Sequence, residues 1–204
     1  AAQCLDCHFL SLPRKKYDNL PDAVTGISNF VLNKHIEKGY FTNLQLRQII
    51  GNPVDDKVDD KHRKLSKRRV RIGFLGRIEP TKGIERALSL LSKKNMDFEI
   101  LIAGKGEEQY VRKLQADYES DRVKFLGFAD PHKFFVKIDF LLVPSLWDEP
   151  FGRVVIEAYA SGIPVIGSKR GGIPELIEKG TGWVFEPDSA ESFYSVLEKV
   201  QKLS

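Results

Sequence analysis

Sulfur is scarce in this chain, with two cysteines and one methionine among 204 residues, so no disulfide framework underlies its fold and the cysteine pair reads as reduced and intracellular. Cys4 and Cys7 stand with His8 in Cys-Leu-Asp-Cys-His, the spacing of covalent haem attachment. Nothing else in the chain follows a haem protein, and the match reads as chance. Zinc would need two further ligands, and His35, His62 and His132 are scattered. No apolar run approaches the ~18 residues a membrane span requires, and the first residues do not read as a secretory signal. A strong charge bias is also missing: 32 Lys and Arg face 28 Asp and Glu, for a net +4, which by itself implies no nucleic-acid partner. The chain opens Ala-Ala-Gln, and its one methionine is Met96. The expectation is a piece of a longer protein.

What the chain does have is alternation. Apolar runs at Val70–Leu75, Phe98–Ala103, 123–126, Phe140–Val143, 164–166 and 183–185 read as strands. Between them lie helical stretches with apolar residues at i, i+3, i+4 and i+7, as in Ile84, Ala87, Leu88 and Leu91, and in Phe193, Val196, Leu197 and Val200. Asp188 and Glu191 stand at capping-box spacing before the last of these. Strands alternating with helices predict an α/β fold, a Rossmann-like doubly wound parallel sheet. Upstream, residues 23–27 read as a strand, Ser28 caps a helix carrying Val31, Leu32 and Ile36 that ends at Gly39, and 46–50 read as a second strand before Gly51-Asn52-Pro53. That is one further βαβ unit. Three parts follow: 1–53, a charged linker 54–69, and the main domain 70–204.

The linker places Asp55, Asp56, Asp59 and Asp60 before Lys61, Arg63, Lys64, Lys67, Arg68, Arg69 and Arg71. A basic patch over 61–71 for nucleic acid or an anionic surface is one reading. A solvated hinge is favoured, because the acids offset the field and no aromatics are interleaved for base stacking.

In a doubly wound sheet, ligands bind beyond the carboxyl ends of the strands. The glycine-rich and basic turns of the main domain fall there: Gly76-Arg77, Gly104-Lys105-Gly106, Gly127-Phe128, Ser145 to Gly152, and Gly167 to Gly172. Arg77 and Lys82 bracket the loop that enters the next helix. A planar guanidinium and a compact ammonium suit a diphosphate, although two solvated cations are the plainer alternative. The stretch Glu149-Pro-Phe-Gly-Arg-Val-Val-Ile-Glu157 sets two carboxylates at a strand-to-helix junction. Pro150 holds Glu149 in an extended loop. Phe151 and Gly152 are expected to begin the helix, whose first N–H groups would face the loop. Val154, Val155, Ile156, Ala158, Tyr159 and Ala160 predict burial of that helix on most sides, so Glu157 needs hydrogen-bond donors, and a ribose diol would supply two. The alternative is a helix-start acid at Glu149 and a solvated Glu157.

Taken in order, these motifs resemble the donor-binding half of a retaining glycosyltransferase of family 4, in the GT-B group of bacterial polysaccharide, glycolipid and lipopolysaccharide synthesis. The likeness runs over residues 21 to 200. It rests on Val24 to Ser28, Gly51-Asn52-Pro53-Val54-Asp55, Gly76-Arg77, Lys82-Gly83, Gly127, Pro144-Ser145, the Glu149/Glu157 pair, and Gly171-Gly172-Ile173-Pro174-Glu175.

The resemblance implies that Arg77 and Lys82 hold a donor diphosphate and that Glu149 meets the transferred sugar. Backbone N–H groups near Phe151, Gly152 and Arg153 would assist on sugar and distal phosphate. Glu157 would grip the ribose, with the base near Gly127 and Phe128. It implies no metal or other cofactor, a nucleotide-sugar donor, and a sugar or lipid-linked acceptor held by an N-terminal domain of which 1–53 is the remnant. Nucleic acid is not an expected partner. A cytoplasmic location, with peripheral contact at the inner face of the membrane, goes with that role. The family's crossing-back terminal helices are not found before Ser204, and the fragment alone is expected to be inactive. A nucleotide-sugar epimerase of the same fold would carry other residues in place of the Glu149/Glu157 pair.

Overall fold

The computed structural model describes residues 17, 18, 20–54, 69–94, 96–177 and 180–203. The Cys4, Cys7 and His8 group and the linker from 55 to 68 lie outside the described residues. Of the basic patch proposed over 61–71, Arg69 and Arg71 are described, and each is paired, Arg69 with Asp97 at 2.6 Å and Arg71 with Glu99 at 2.8 Å.

The chain divides into two compact units, 1–52 and 53–204. In the first, strand β1 (Ala23–Gly26) and strand β2 (Leu46–Ile49) pair in parallel, with helix α1 (Asn29–Glu37) between them. The Ser28 hydroxyl accepts from the Val31 N–H, so the predicted cap is in place. Gly39, at φ 79°, follows the helix end.

The second unit is a six-stranded parallel sheet. Its strands are β3 (Val70–Leu75), β4 (Phe98–Ala103), β5 (Val123–Phe125), β6 (Phe140–Val143), β7 (Val165–Ser168) and β8 (Gly182–Phe185), in the spatial order β5-β4-β3-β6-β7-β8. The helices are α2 (Ile84–Lys93), α3 (Glu108–Tyr118), α4 (Pro131–Phe135), α5 (Arg153–Ala160), α6 (Ile173–Leu176) and α7 (Ala190–Gln201).

Side-chain alternation along the strands builds two cores. On one face Ile72, Phe74, Ile100, Ile102, Phe140 and Leu142 pack with α2, α3 and α7. On the other, Leu101, Ala103, Leu141, Val143 and Val165 pack with α4, α5 and α6. The sheet is therefore covered on both sides, which is why its strands read as nearly continuous apolar runs rather than as alternating ones.

Three local expectations are corrected. Helix α5 begins at Arg153, after Gly152 in the left-handed region at φ 90°; Phe151 precedes it and is buried, because its ring serves the core. The cap of α7 is Ser189, whose hydroxyl accepts from the Ser192 N–H, whereas Asp188 pairs with Arg170 at 2.6 Å. Serine's short hydroxyl reaches that N–H one position later than the capping-box pattern placed it. Helix α5 is half-buried rather than enclosed, with only Val155 and Ala158 fully buried within it.

Leu197 of α7 is fully buried in the first core. Leu197→Ala should lower unfolding free energy by about 2–5 kcal/mol in urea denaturation, with the slope unchanged, if this helix docks as described.

Candidate functional site

The chain winds from β3 to β5 in one direction and from β6 to β8 in the other. The turns leaving β3 and β6 therefore diverge over neighbouring strands, at the crevice where doubly wound sheets take ligands. Here the two turns are fastened together. The Thr81 carbonyl accepts from the Leu146 N–H at 2.9 Å and the Trp147 N–H at 3.1 Å. Gly83, at φ 71°, lies so close to the Pro144 carbonyl that a Cβ would stand 2.0 Å from its oxygen. Only glycine fits there.

This fastening brings Lys82 to Glu149 across 67 residues of sequence. The Lys82 Nζ donates to Glu149 Oε1 at 2.5 Å. The Ser145 hydroxyl donates to the same oxygen at 2.8 Å. Ser145 is itself buried, and its carbonyl accepts from the buried Ser168 hydroxyl at 2.7 Å, which ties the loop to the end of β7. The Glu149 backbone is held as firmly. Its carbonyl accepts from the Gly172 N–H at 2.7 Å, and Gly171, at φ 57°, passes so close that a Cβ would lie 2.1 Å from that oxygen. With 20% and 15% of their side chains exposed, Lys82 and Glu149 are largely withdrawn from solvent. Among the described residues nothing donates to Glu149 Oε2.

A cavity of about 250 Å³ opens over this pair, lined by Gly76, Arg77, Lys82, Ser145, Glu149 and Arg153, among others. Arg77 reaches outward, with three quarters of its side chain exposed, and pairs with Glu79 at 3.4 Å. Helix α5 presents its first turn to the cavity, and among the described residues no side chain caps it, so its positive end faces whatever enters.

Glu157 lies elsewhere. It pairs with Arg153 one turn earlier, at 2.9 Å, and a quarter of its side chain is exposed. Arg153 supplies the Glu157 carboxylate with one donor, from an exposed side chain. Both residues line a second recess of about 220 Å³ together with Asp130, His132 and Phe135. Arg153 borders both cavities. Gly127, at φ 66°, accepts from the Gly104 N–H at 2.8 Å. Phe128 is 73% exposed, with the Lys105 ammonium 5.0 Å from its ring centroid.

The structure thus gathers Arg77, Lys82, Glu149, Gly152 and Arg153 around one cavity, sets Glu157 at another, and leaves Phe151 in the core. Sequence reasoning gave no role to Ser145, Ser168 or Thr81. The available signal was a small polar residue at or just past the end of an apolar run, Ser168 as the last residue of β7 and Ser145 two residues beyond β6. Among the described residues no cluster of three or more His, Cys, Asp or Glu could hold a metal ion, and no helix is long and apolar enough to cross a membrane.

A family profile, Glycosyl transferases group 1, matches residues 55–203. The chain belongs to this glycosyltransferase family. A 42.6 kDa protein of the Klebsiella pneumoniae cps region, itself uncharacterised, is 32% identical over 166 residues, covering 81% of this chain and 43% of that protein. The glycogen synthase of Thermodesulfovibrio yellowstonii is 30% identical over 195 residues, covering 88% and 38%. Among solved structures, Anabaena Alr3699/HepE in complex with UDP-glucose superposes with a TM-score of 0.72 at 26% identity, over 92% of this chain and 57% of that one. A glycosyltransferase of Rickettsia africae, with a TM-score of 0.79 at 24% identity over 94% and 57%, shares the fold. This group 1 glycosyltransferase chain spans less than two thirds of each of these proteins.

The Gly171 contact is testable against a neutral control. Gly162 also has positive φ, at 68°, but a Cβ there meets nothing within 4 Å. Gly171→Ala should destabilise the glycosyltransferase chain by about 1–3 kcal/mol more than Gly162→Ala in urea unfolding, because both carry the dihedral strain and only the first carries the clash.

Proposed function

We propose that this chain is the donor-binding portion of a retaining glycosyltransferase of family 4, which moves a sugar from a nucleotide diphosphate sugar to an acceptor hydroxyl. The observation that carries the reading is the Lys82–Glu149 pair beneath a cavity at the strand-order reversal, with Arg77 and the uncapped start of α5 on its rim. Two cations and a helix N-terminus suit a diphosphate, and a fixed carboxylate with one unused oxygen suits sugar hydroxyls. Support from relatives lies in Alr3699/HepE, a protein of similar fold solved with UDP-glucose.

In this reading Arg77 and Lys82 neutralise charge on the departing diphosphate, in place of a metal. Glu149 orients the sugar, assisted by backbone N–H groups near Gly152 and Arg153. Glu157 takes the ribose and Phe128 the base. That Arg153 borders both cavities suits a residue between the nucleotide and sugar halves. The bond between the anomeric carbon and the phosphate oxygen breaks, and its electron pair leaves with the diphosphate. The acceptor oxygen forms the new bond from the same face and gives its proton to the leaving phosphate. Residues 1–53, joined through 54–69, would belong to the acceptor-binding domain. Acceptor choice and peripheral membrane contact would be set by the acceptor-binding domain.

Calorimetric titration with uridine, guanosine and adenosine diphosphate sugars should give saturable heat for one of them, and silence from all three would end the reading. Glu157→Ala should weaken binding of the intact nucleotide about tenfold or more while leaving inorganic pyrophosphate unaffected. Equal losses for both ligands would remove Glu157 from the ribose.

A further inference from the structure

The ion pair that identifies the site also joins its two expected tasks. Lys82, the cation meant for the diphosphate, donates to Glu149, the carboxylate meant for the sugar. A diphosphate entering the cavity therefore meets an ammonium whose charge is offset at 2.5 Å, and it meets the repulsion of the Glu149 carboxylate as well. Drawing Lys82 away leaves Glu149, 15% exposed, short of a charged donor. A sugar on the diphosphate changes this balance, because its hydroxyls can donate to Glu149 in place of Lys82.

We infer that the Lys82–Glu149 pair is a coupling element, which makes the hold on a diphosphate conditional on an attached sugar that donates hydroxyls to Glu149. This rests on the diphosphate and sugar assignments above. The surroundings fit such a role. The Ser145 hydroxyl keeps Glu149 Oε1 in place when Lys82 turns to phosphate, and the Gly171-Gly172 turn fixes the Glu149 backbone, so the carboxylate stays in the cavity while its partner changes. Lys82, ending the short 3₁₀ turn Pro80–Lys82, has a long flexible stem that can swing between the two anions. The consequence is directional. Once the sugar has left with the acceptor, Glu149 loses its hydroxyl donors and takes Lys82 back, and the remaining nucleoside diphosphate is held less firmly. Coupling of this kind is reciprocal, so the diphosphate also raises the hold on the sugar.

The test compares pyrophosphate binding by the wild-type chain, Glu149→Gln, Lys82→Met, and the double variant, by calorimetry, with thermal midpoints to verify folding. Glu149→Gln keeps the shape and removes the charge, and should bind pyrophosphate about tenfold more tightly than the wild type. The gain should vanish in the double variant. Glu149→Ala serves as a second carboxylate-free form should the glutamine variant unfold. Unchanged or weaker pyrophosphate binding in a folded carboxylate-free variant overturns the coupling while leaving Lys82 a phosphate ligand. Pyrophosphate binding insensitive to both Lys82→Met and Arg77→Met, or absent from wild type and Glu149→Gln alike, overturns the diphosphate assignment and the coupling with it.

Discussion

A parallel sheet wound in both directions from a central strand leaves two neighbouring strands whose following turns diverge, and in this chain those strands are β3 and β6. Left alone, that crevice would be a gap between two independent loops. The double hydrogen bond to the Thr81 carbonyl and the close seat of Gly83 on Pro144 turn it into a rigid floor. Everything chemically distinctive stands on that floor. Lys82 rides the turn from β3, Glu149 the turn from β6, and the distance between their side chains is set by backbone contacts that neither side chain makes.

The pair itself is not an obvious source of stability. Charges withdrawn from water lose hydration, and their mutual attraction often does little more than offset that loss. A chain needing only a stable loop would do as well with apolar residues of similar volume. Retaining a lysine, a glutamate and a buried serine around one carboxylate oxygen makes more sense as a requirement of ligand chemistry than as one of folding. The buried Ser168 hydroxyl, donating to the Ser145 carbonyl, shows how far the support extends: three strand ends, β3, β6 and β7, contribute to fixing one carboxylate.

The fold was largely legible because burial on both faces writes each strand as an apolar run, and helix periodicity survives in Ile84, Ala87, Leu88 and Leu91. Legibility weakened at ends and caps. Ser189 rather than Asp188 caps α7, a one-residue choice decided by geometry that spacing cannot see. Phe151 read as part of a helix start because proline and glycine flank it, yet its ring belongs to the core. At the site, residue types and order pointed to Arg77, Lys82, Glu149 and Glu157, but pairing is a long-range property. Lys82 and Glu149 are 67 residues apart, and only the strand order brings them together. Glu157 shows the opposite case, since its partner Arg153 is four residues away, one helical turn, at a spacing that the sequence itself displays.

The separation of Glu149 from Glu157 bears on how such a site divides a ligand. The two carboxylates begin and end one short stretch, yet each lines a different cavity, and Arg153, paired to the second, borders both. A helix that starts between two recesses can present its N-terminal dipole to one and its first exposed turn to the other. If the proposed roles hold, an elongated ligand with a charged middle fits that arrangement better than a compact one, because the carboxylates stand at the two recesses and Lys82, Arg77 and the helix start lie between them. All of these groups lie within residues 53–204, which also hold both halves of the core. These groups thus stand within one compact unit, and the two cavities share Arg153.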